Sequence, residues 1–241
     1  MRYQGGKTRI AKDISRVIIE YSSGGQDTLV SLFCGACSVE TKFTERFKNV
    51  ICNDSHEYLI ALWQGVQRGY ELPDTVSEEE WRYRKNHKDE DKVLTGFIGF
   101  ACSFGGRFFE GYARSHKAKR NFALGGKKSI VKDIEYLKKL QFSCLDYRDV
   151  KLPDGCIVYA DPPYNGTKQY GNKVFNSAEF WNYADEVSKT HMMFISELNA
   201  PDDYIPIWSK SVTRTLDRNK DNQFKAIEKL FLHKRWVTNI D

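Results

Sequence analysis

The sequence contains no apolar run approaching 18 residues, so a membrane-spanning helix is excluded. It has no internal repeat and no low-complexity segment, and an ordinary globular chain is expected. The opening MRYQGGKTRIAKDI is too polar for a signal peptide. Cysteine is scarce, at six residues, and scattered. Cys34 and Cys37 share a two-residue spacing, but Cys52, Cys102, Cys144 and Cys156 come singly, and His56, His87, His116, His191 and His233 form no group with ligand spacing. A zinc site needs a second matching pair, so no metal is expected. Reduced thiols and a cytoplasmic location, in a bacterial or phage-infected cell, are the corresponding reading. Gly5, Gly6, Lys7 and Thr8 look like the end of a nucleotide phosphate loop, but the position where that loop needs its first glycine is Met1. What remains is a polar glycine turn whose N–H groups and lysine suit an anion such as a carboxylate.

Net charge is also small, +5 from 37 basic and 32 acidic residues. Its distribution is uneven. The 22 residues from Arg107 to Lys128 hold seven lysines or arginines against the single acid Glu110. The rest of the chain is close to neutral.

Apolar periodicity supplies the architecture. Ile10, Ile14, Val17 and Ile18 lie on one helix face, as do Leu59, Leu62, Trp63 and Val66, and Ile130, Ile134 and Leu137 mark another helix. A helix is also expected over 38–47. Thr28 to Phe33, Val50 to Asn53, Gly155 to Ala160, Met192 to Ser196 and Glu228 to His233 read as strands. Strands separated by helices predict an α/β chain with a mostly parallel sheet. Ligands of such sheets sit beyond the carboxyl ends of the strands. Gly35, Asp54, Asp161 and Asp146 are expected there. Between Gln67 and Lys128 the alternation breaks.

Two motifs carry chemistry. Phe33-Cys34-Gly35-Ala36-Cys37-Ser38 closes a strand and opens a glycine turn, and Asp54 follows at the end of the next strand. An acid there can accept hydrogen bonds from ribose hydroxyls, or serve as a helix N-cap. Asp161-Pro162-Pro163-Tyr164 is more specific. Two prolines stiffen the backbone and remove N–H donors, leaving carbonyl acceptors beside a carboxylate and an aromatic ring. That set fits a planar ring bearing an exocyclic amine, which would donate to Asp161 and the Pro162 carbonyl while Tyr164 stacks on the ring.

With YQGGKTRIAKDI, FCGACSVE, ICNDSHEYLIALW, FSCLDYRD, YADPPYNGTKQYG and FISELNAPDDY in this order, the chain resembles the DNA adenine N6-methyltransferases of the Dam-related, phage type. The resemblance covers nearly the whole length. It implies a Rossmann-like class I methyltransferase sheet with helices on both faces, formed by residues 1–66 and 129–241, and a small, mainly helical DNA-recognition insertion at 67–128. It implies S-adenosylmethionine as methyl donor, no metal, and double-stranded DNA as partner, with a monomer as the default and a dimer on DNA as the alternative. Tyr3, Gly5, Gly6 and Lys7 would lie near the methionine part of the cofactor, Phe33 and Gly35 would shape its pocket, and Asp54 would take its ribose. Asp146 and Tyr147 would flank its adenine. Asp161, Pro162, Pro163 and Tyr164 would hold a target adenine flipped out of the duplex. Arg107, Arg114, Lys117, Lys119, Arg120 and Lys127 would meet DNA phosphates. Phe108, Phe109, Tyr112 and Phe122, interleaved among them, are expected mostly to pack a small helical unit.

The sequence departs from the family pattern at Leu32, which replaces a proline, and at Cys37, which replaces the second loop glycine. Other substrates of the same chemistry, namely cytosine N4, RNA adenine or a protein glutamine, and a catalytically dead DNA-binding relative, are the rival readings. Asp161 as the first residue of the tetrapeptide favours adenine in nucleic acid over a protein glutamine.

Overall fold

A computed structural model of the chain describes residues 1–22, 25–114, 120–163, 175–215 and 223–237. Five parallel strands form its centre: β1 (Thr28–Ser31), β2 (Asn49–Asn53), β3 (Leu140–Ser143), β4 (Ile157–Ala160) and β5 (Met193–Glu197). A long antiparallel pair, β6 (Tyr204–Thr215) and β7 (Gln223–His233), completes a seven-stranded sheet in the order β3-β2-β1-β4-β5-β7-β6. The strand order reverses between β1 and β4, so a crevice is expected at the carboxyl edge there.

The strands alternate between two cores because successive side chains point to opposite faces. Leu29, Ile157, Tyr159 and Phe194 enter one; Val30, Leu32, Val158, Ala160, Met193 and Ile195 enter the other. On the first face lie α1 (Ala11–Tyr21) and α2 (Glu57–Gln67), and on the second α7 (Ser177–Ser188), through Phe180 and Ala184. The stripe Ile14, Val17 and Ile18 of α1 is buried. Each such side chain contributes about 1.5–3 kcal/mol.

The segment where the sequence rhythm breaks is helical. It carries α3 (Glu78–Asn86), α4 (Lys92–Ala101) and most of α5 (Phe122–Lys132). Each of these helices has its own side-chain cap: Ser77, Asp91 and Asn121 accept from the N–H of Glu80, Leu94 and Leu124. The largely apolar α4 packs against α2. Phe109 is buried against Trp81, and Phe108 stacks on Tyr58. These aromatics pack the insertion, as expected.

Three expectations need correction. The helix expected over 38–47 is a 3-10 turn at Glu40–Lys42 followed by further turns. Cys37 enters it with φ of +54°, and Thr41 and Thr44 return their hydroxyls to the carbonyls of Ser38 and Thr41, which competes with helix bonds. The helix around Ile130 to Leu137 is broken at Asp133 into α5 and the short α6 (Ile134–Leu137). Strands β3 and β6 were not expected. β3 is four residues long, and β6 is a largely exposed edge strand with a register shift at Pro206/Trp208, where a proline is tolerated. The short α8 (Lys234–Val237) ends the described chain.

Candidate active site at the carboxyl edge of the sheet

Parallel pairing of β1, β2, β3, β4 and β5 brings their carboxyl ends to one edge. Asp54 directly follows β2, Asp161 directly follows β4, and Gly35 and Asp146 come a few residues beyond β1 and β3. Buried Asn53 binds these ends together. Its amide donates to the Leu32 and Leu145 carbonyls, and its Oδ1 accepts from Ser143 Oγ and the Leu145 N–H. Sequence reasoning missed Asn53; a polar residue closing the apolar run VIC was the available signal.

The glycine turn is shaped by specific contacts. Gly35 has φ of +48°, and a Cβ there would meet the Tyr3 ring at 2.9 Å, so both backbone and space demand glycine. Its N–H donates to Asp54 Oδ2 at 3.0 Å, and its carbonyl accepts from Trp63 Nε1 at 2.9 Å. Asp54 Oδ1 accepts the His56 N–H at 2.9 Å. The cap of α2 is His56 itself, through Nδ1 to the Leu59 N–H, rather than Asp54. Burial pushes the Asp54 carboxyl up and the His56 imidazole down, the latter to about 4. Cys37, in the place of the family's second glycine, adopts the left-handed backbone that a glycine takes without strain.

Beside this turn, Phe33 packs against Tyr147, with ring centroids 5.3 Å apart, and both meet Phe180. Asp146 caps the turn that carries Tyr147 and holds Arg148 through two nitrogens, at 2.8 and 2.9 Å.

Asp161 meets Lys7. The Ile10 N–H closes the N-terminal turn onto the Lys7 carbonyl, and the lysine side chain runs into the protein, only 4% exposed. Its Nζ lies 2.8 Å from Asp161 Oδ1 and 3.6 Å from Glu228 Oε2. The Lys7 side chain thus meets carboxylates of the protein itself, while the Gly6 N–H closes the turn onto the Tyr3 carbonyl. Pro162 is buried and Pro163 half-buried beyond it; Tyr164 lies outside the described residues. Burial pushes Glu40 up to about 8 and Glu197 up to about 7, and neighbouring Asp161 raises both. Ser31 Oγ donates to Glu40 at 2.7 Å. Glu228, Glu40 and Glu197 were missed from sequence. Glu228 could have been found, because it occupies the buried register of β7 with Ala226, Leu230 and Leu232.

The N-terminal turn also reaches the insertion. Gln4 N–H donates to the Gly106 carbonyl, and a Cβ on Gly106 would lie 2.7 Å from the Tyr3 nitrogen. Of the basic residues expected at DNA, Arg107 pairs with Glu110, Arg114 with Glu78, and Lys127 with Asp74. The Arg120 guanidinium lies 5.9 Å from the Phe122 ring centroid. Lys117 and Lys119 lie outside the described residues.

A sheet parallel through β5 with an antiparallel last pair, helices on both faces, and a glycine turn and acids at its carboxyl edge places the chain in the class of Rossmann-like α/β folds. Within that class the chain belongs to the D12 class N6 adenine-specific DNA methyltransferase family, whose model matches residues 3–94 and 104–234. Solved structures similar to it include a Pyrococcus horikoshii protein assigned to the RNA methyltransferases, 10% identical, with 94% of this chain and 84% of that one covered and a TM-score of 0.45. A tRNA (m1A58) methyltransferase from Aquifex aeolicus is 10% identical, with 92% and 68% covered and a TM-score of 0.40. The magnesium protoporphyrin IX methyltransferase of Synechocystis, solved with bound S-adenosylmethionine, is 8% identical, with 94% and 79% covered and a TM-score of 0.39.

The protein is an S-adenosylmethionine-dependent methyltransferase. Its residues fit that cofactor. A carboxylate offers about four acceptor sites, and the two backbone bonds to Asp54 leave capacity for two ribose hydroxyls. The aromatic pair Phe33 and Tyr147 suits a purine, and the Asp161 carboxylate suits a neighbouring cationic centre. Among the described residues no group of His, Cys, Asp and Glu is arranged to hold a metal, and no helix is long and apolar enough to cross a membrane.

Proposed function

We propose that this enzyme methylates the exocyclic N6 amine of an adenine extruded from double-stranded DNA. The observation that carries the reading is Asp161, at the end of the buried β4, held by the Lys7 ammonium and followed by two prolines. The family supports adenine in DNA as the substrate.

When bound, S-adenosylmethionine supplies a methyl group already activated on a sulfonium. Asp54 holds its ribose, Gly35 and Phe33 form the pocket wall, Asp146 and Tyr147 border its adenine, and Tyr3, Gly5 and Gly6 border its methionine part. Asp161 and the Pro162 carbonyl accept the two N–H bonds of the target amine and aim the nitrogen lone pair, with Pro163 stiffening the turn and Tyr164 stacking on the base. Lys7 fixes the Asp161 carboxylate. The chain's contribution is positioning and fixed charge, and the thiols around the glycine turn take no part: Cys34, Cys37 and Cys52 are buried, and burial raises all three. The insertion, 67–128, carries DNA recognition, with Arg107, Arg114, Lys117, Lys119, Arg120 and Lys127 at phosphates.

The test is incubation with isotopically methyl-labelled S-adenosylmethionine and either duplex DNA or RNA of the same sequence, followed by nucleoside analysis. Label in N6-methyladenine from DNA is expected. Label in N4-methylcytosine, or in RNA alone, would overturn the reading.

A further inference from the structure

We propose that Glu228 is a positioning residue for methyl transfer, sharing the Lys7 ammonium so that Asp161 keeps negative charge for the substrate amine. The inference rests on the reading above and deepens it.

Lys7 Nζ lies 2.8 Å from Asp161 and 3.6 Å from Glu228, and the three side chains are 4%, 19% and 6% exposed. Glu228 arrives from β7, far from Asp161 in sequence, and takes a place in a strand register otherwise filled by Ala226, Leu230 and Leu232. A carboxylate in that position carries a desolvation cost that an apolar residue would not. Stability therefore does not account for it. Lys7 and Asp161 alone would be a neutral pair. Glu228 adds a second carboxylate to that ammonium among the described residues, and its three N–H donors can serve both.

The surplus matters for the chemistry. In the transfer the sulfonium–methyl bond would break with its electron pair left on sulfur while the amine lone pair formed the nitrogen–methyl bond, so positive charge would develop on the nitrogen that Asp161 holds until that nitrogen released one proton to water. A fixed negative charge at that point favours the transition state over the bound substrate. Glu228 is the more enclosed of the two acids, while Asp161 is the more exposed. The division of labour follows from this difference in exposure.

The test compares wild type, Glu228→Gln, Glu228→Asp, Lys7→Met and the Lys7→Met/Glu228→Gln double variant. The readouts are kcat, KM for DNA, S-adenosylhomocysteine affinity by calorimetry, and thermal unfolding. Glu228→Gln is expected to lower kcat by about 100-fold, the scale of a small misplacement at a reacting centre. KM and cofactor-product affinity should stay near wild type, and Glu228→Asp should recover most of the rate. The double variant should lose less than the product of the two single losses, because both act through Asp161. A wild-type kcat in Glu228→Gln, or a rate loss that tracks loss of product affinity or of folding and is not rescued by aspartate, would overturn the proposal. A wild type that methylates RNA and not DNA would overturn the reading above instead. The same comparison on RNA would then still decide the role of Glu228.

Discussion

Lys7 and Lys127 each form a short ion pair, at 2.8 Å to Asp161 and 2.6 Å to Asp74, yet the two pairs sit in different media. Lys7 is 4% exposed and its partner 19%; Lys127 is 33% exposed and its partner 63%. At the strand ends charges are few, enclosed and shared by several groups. In the insertion they are many, mostly exposed and paired at the surface. A buried ammonium without its partner costs several kcal/mol, whereas exposed pairs typically contribute about 0–1 kcal/mol. On the proposed reading the first region carries the chemistry and the second reversible, salt-sensitive binding.

Asp161→Ala is the most severe way to test that division. It removes the acceptor for the amine and leaves Lys7 with Glu228. Methyl transfer should fall by about 10³-fold or more, while gel-shift affinity for DNA stays within a few-fold of wild type. Retained methylation would break the assignment of the strand-end region. Asp54→Ala should follow in size. It strips the acceptor from the N–H groups of Gly35 and His56, at about 1–3 kcal/mol for each unsatisfied donor. Urea unfolding should register the loss, and calorimetry should show weakened S-adenosylhomocysteine binding.

Glu40 sharpens the same region through pH. Its carboxyl keeps its proton up to about pH 8 when folded, against 4.5 for an ordinary glutamate, because of burial. The unfolded chain releases that proton first. The stabilisation is thus fully present below pH 4.5 and is lost as pH rises toward 8. Glu40→Gln has no such proton to lose. Relative to wild type its stability should rise between pH 5 and pH 8, on the order of a few kcal/mol. Parallel urea melts at the two values check this, and a pH-independent difference would show that Glu40 ionises normally.

Much of this contrast was legible in the sequence, for physical reasons that differ by residue. β1, β2, β4 and β5 were readable because a strand buried on both faces is a nearly continuous apolar run. Asp54 and Asp161 were readable because each ends such a run. β6 was not, because an edge strand alternates polar residues and tolerates Pro206. Its partner β7 was read only over its apolar half, Glu228 to His233, so Glu228 stood at the start of a predicted strand rather than inside one. Lys7 was expected near the cofactor; its pairing with Asp161 and Glu228 joins residues 154 and 221 positions apart, beyond what spacing can reveal. In the insertion, composition showed the basic surplus between Arg107 and Lys128. It did not show that Glu78 and Asp74, from outside that stretch, neutralise Arg114 and Lys127.

The insertion's role is tested by salt. Neutralising Lys117, Lys119 and Arg120 together should weaken DNA binding and lower the log–log salt slope by about 0.9 for each phosphate that is no longer neutralised. An unchanged slope would take this stretch off the DNA.

Glu78→Gln should give the smallest effect, and in the opposite direction. Glu78 accepts from both Arg82 and Arg114 while lying at the start of α3, where Ser77 already caps the helix and Glu79 and Glu80 still face its positive end. Removing its charge should therefore leave the melting temperature nearly unchanged. The two guanidiniums, however, lose their competing anion. If Arg114 meets a phosphate, the variant gives up less internal pairing on binding, and DNA affinity should rise a few-fold at low salt, with the gain fading as salt screens the interaction. Equal affinity for wild type and variant at every salt concentration would mean that Arg114 holds α3 in place and never turns to DNA, which would move the interface toward Arg107 and Arg120.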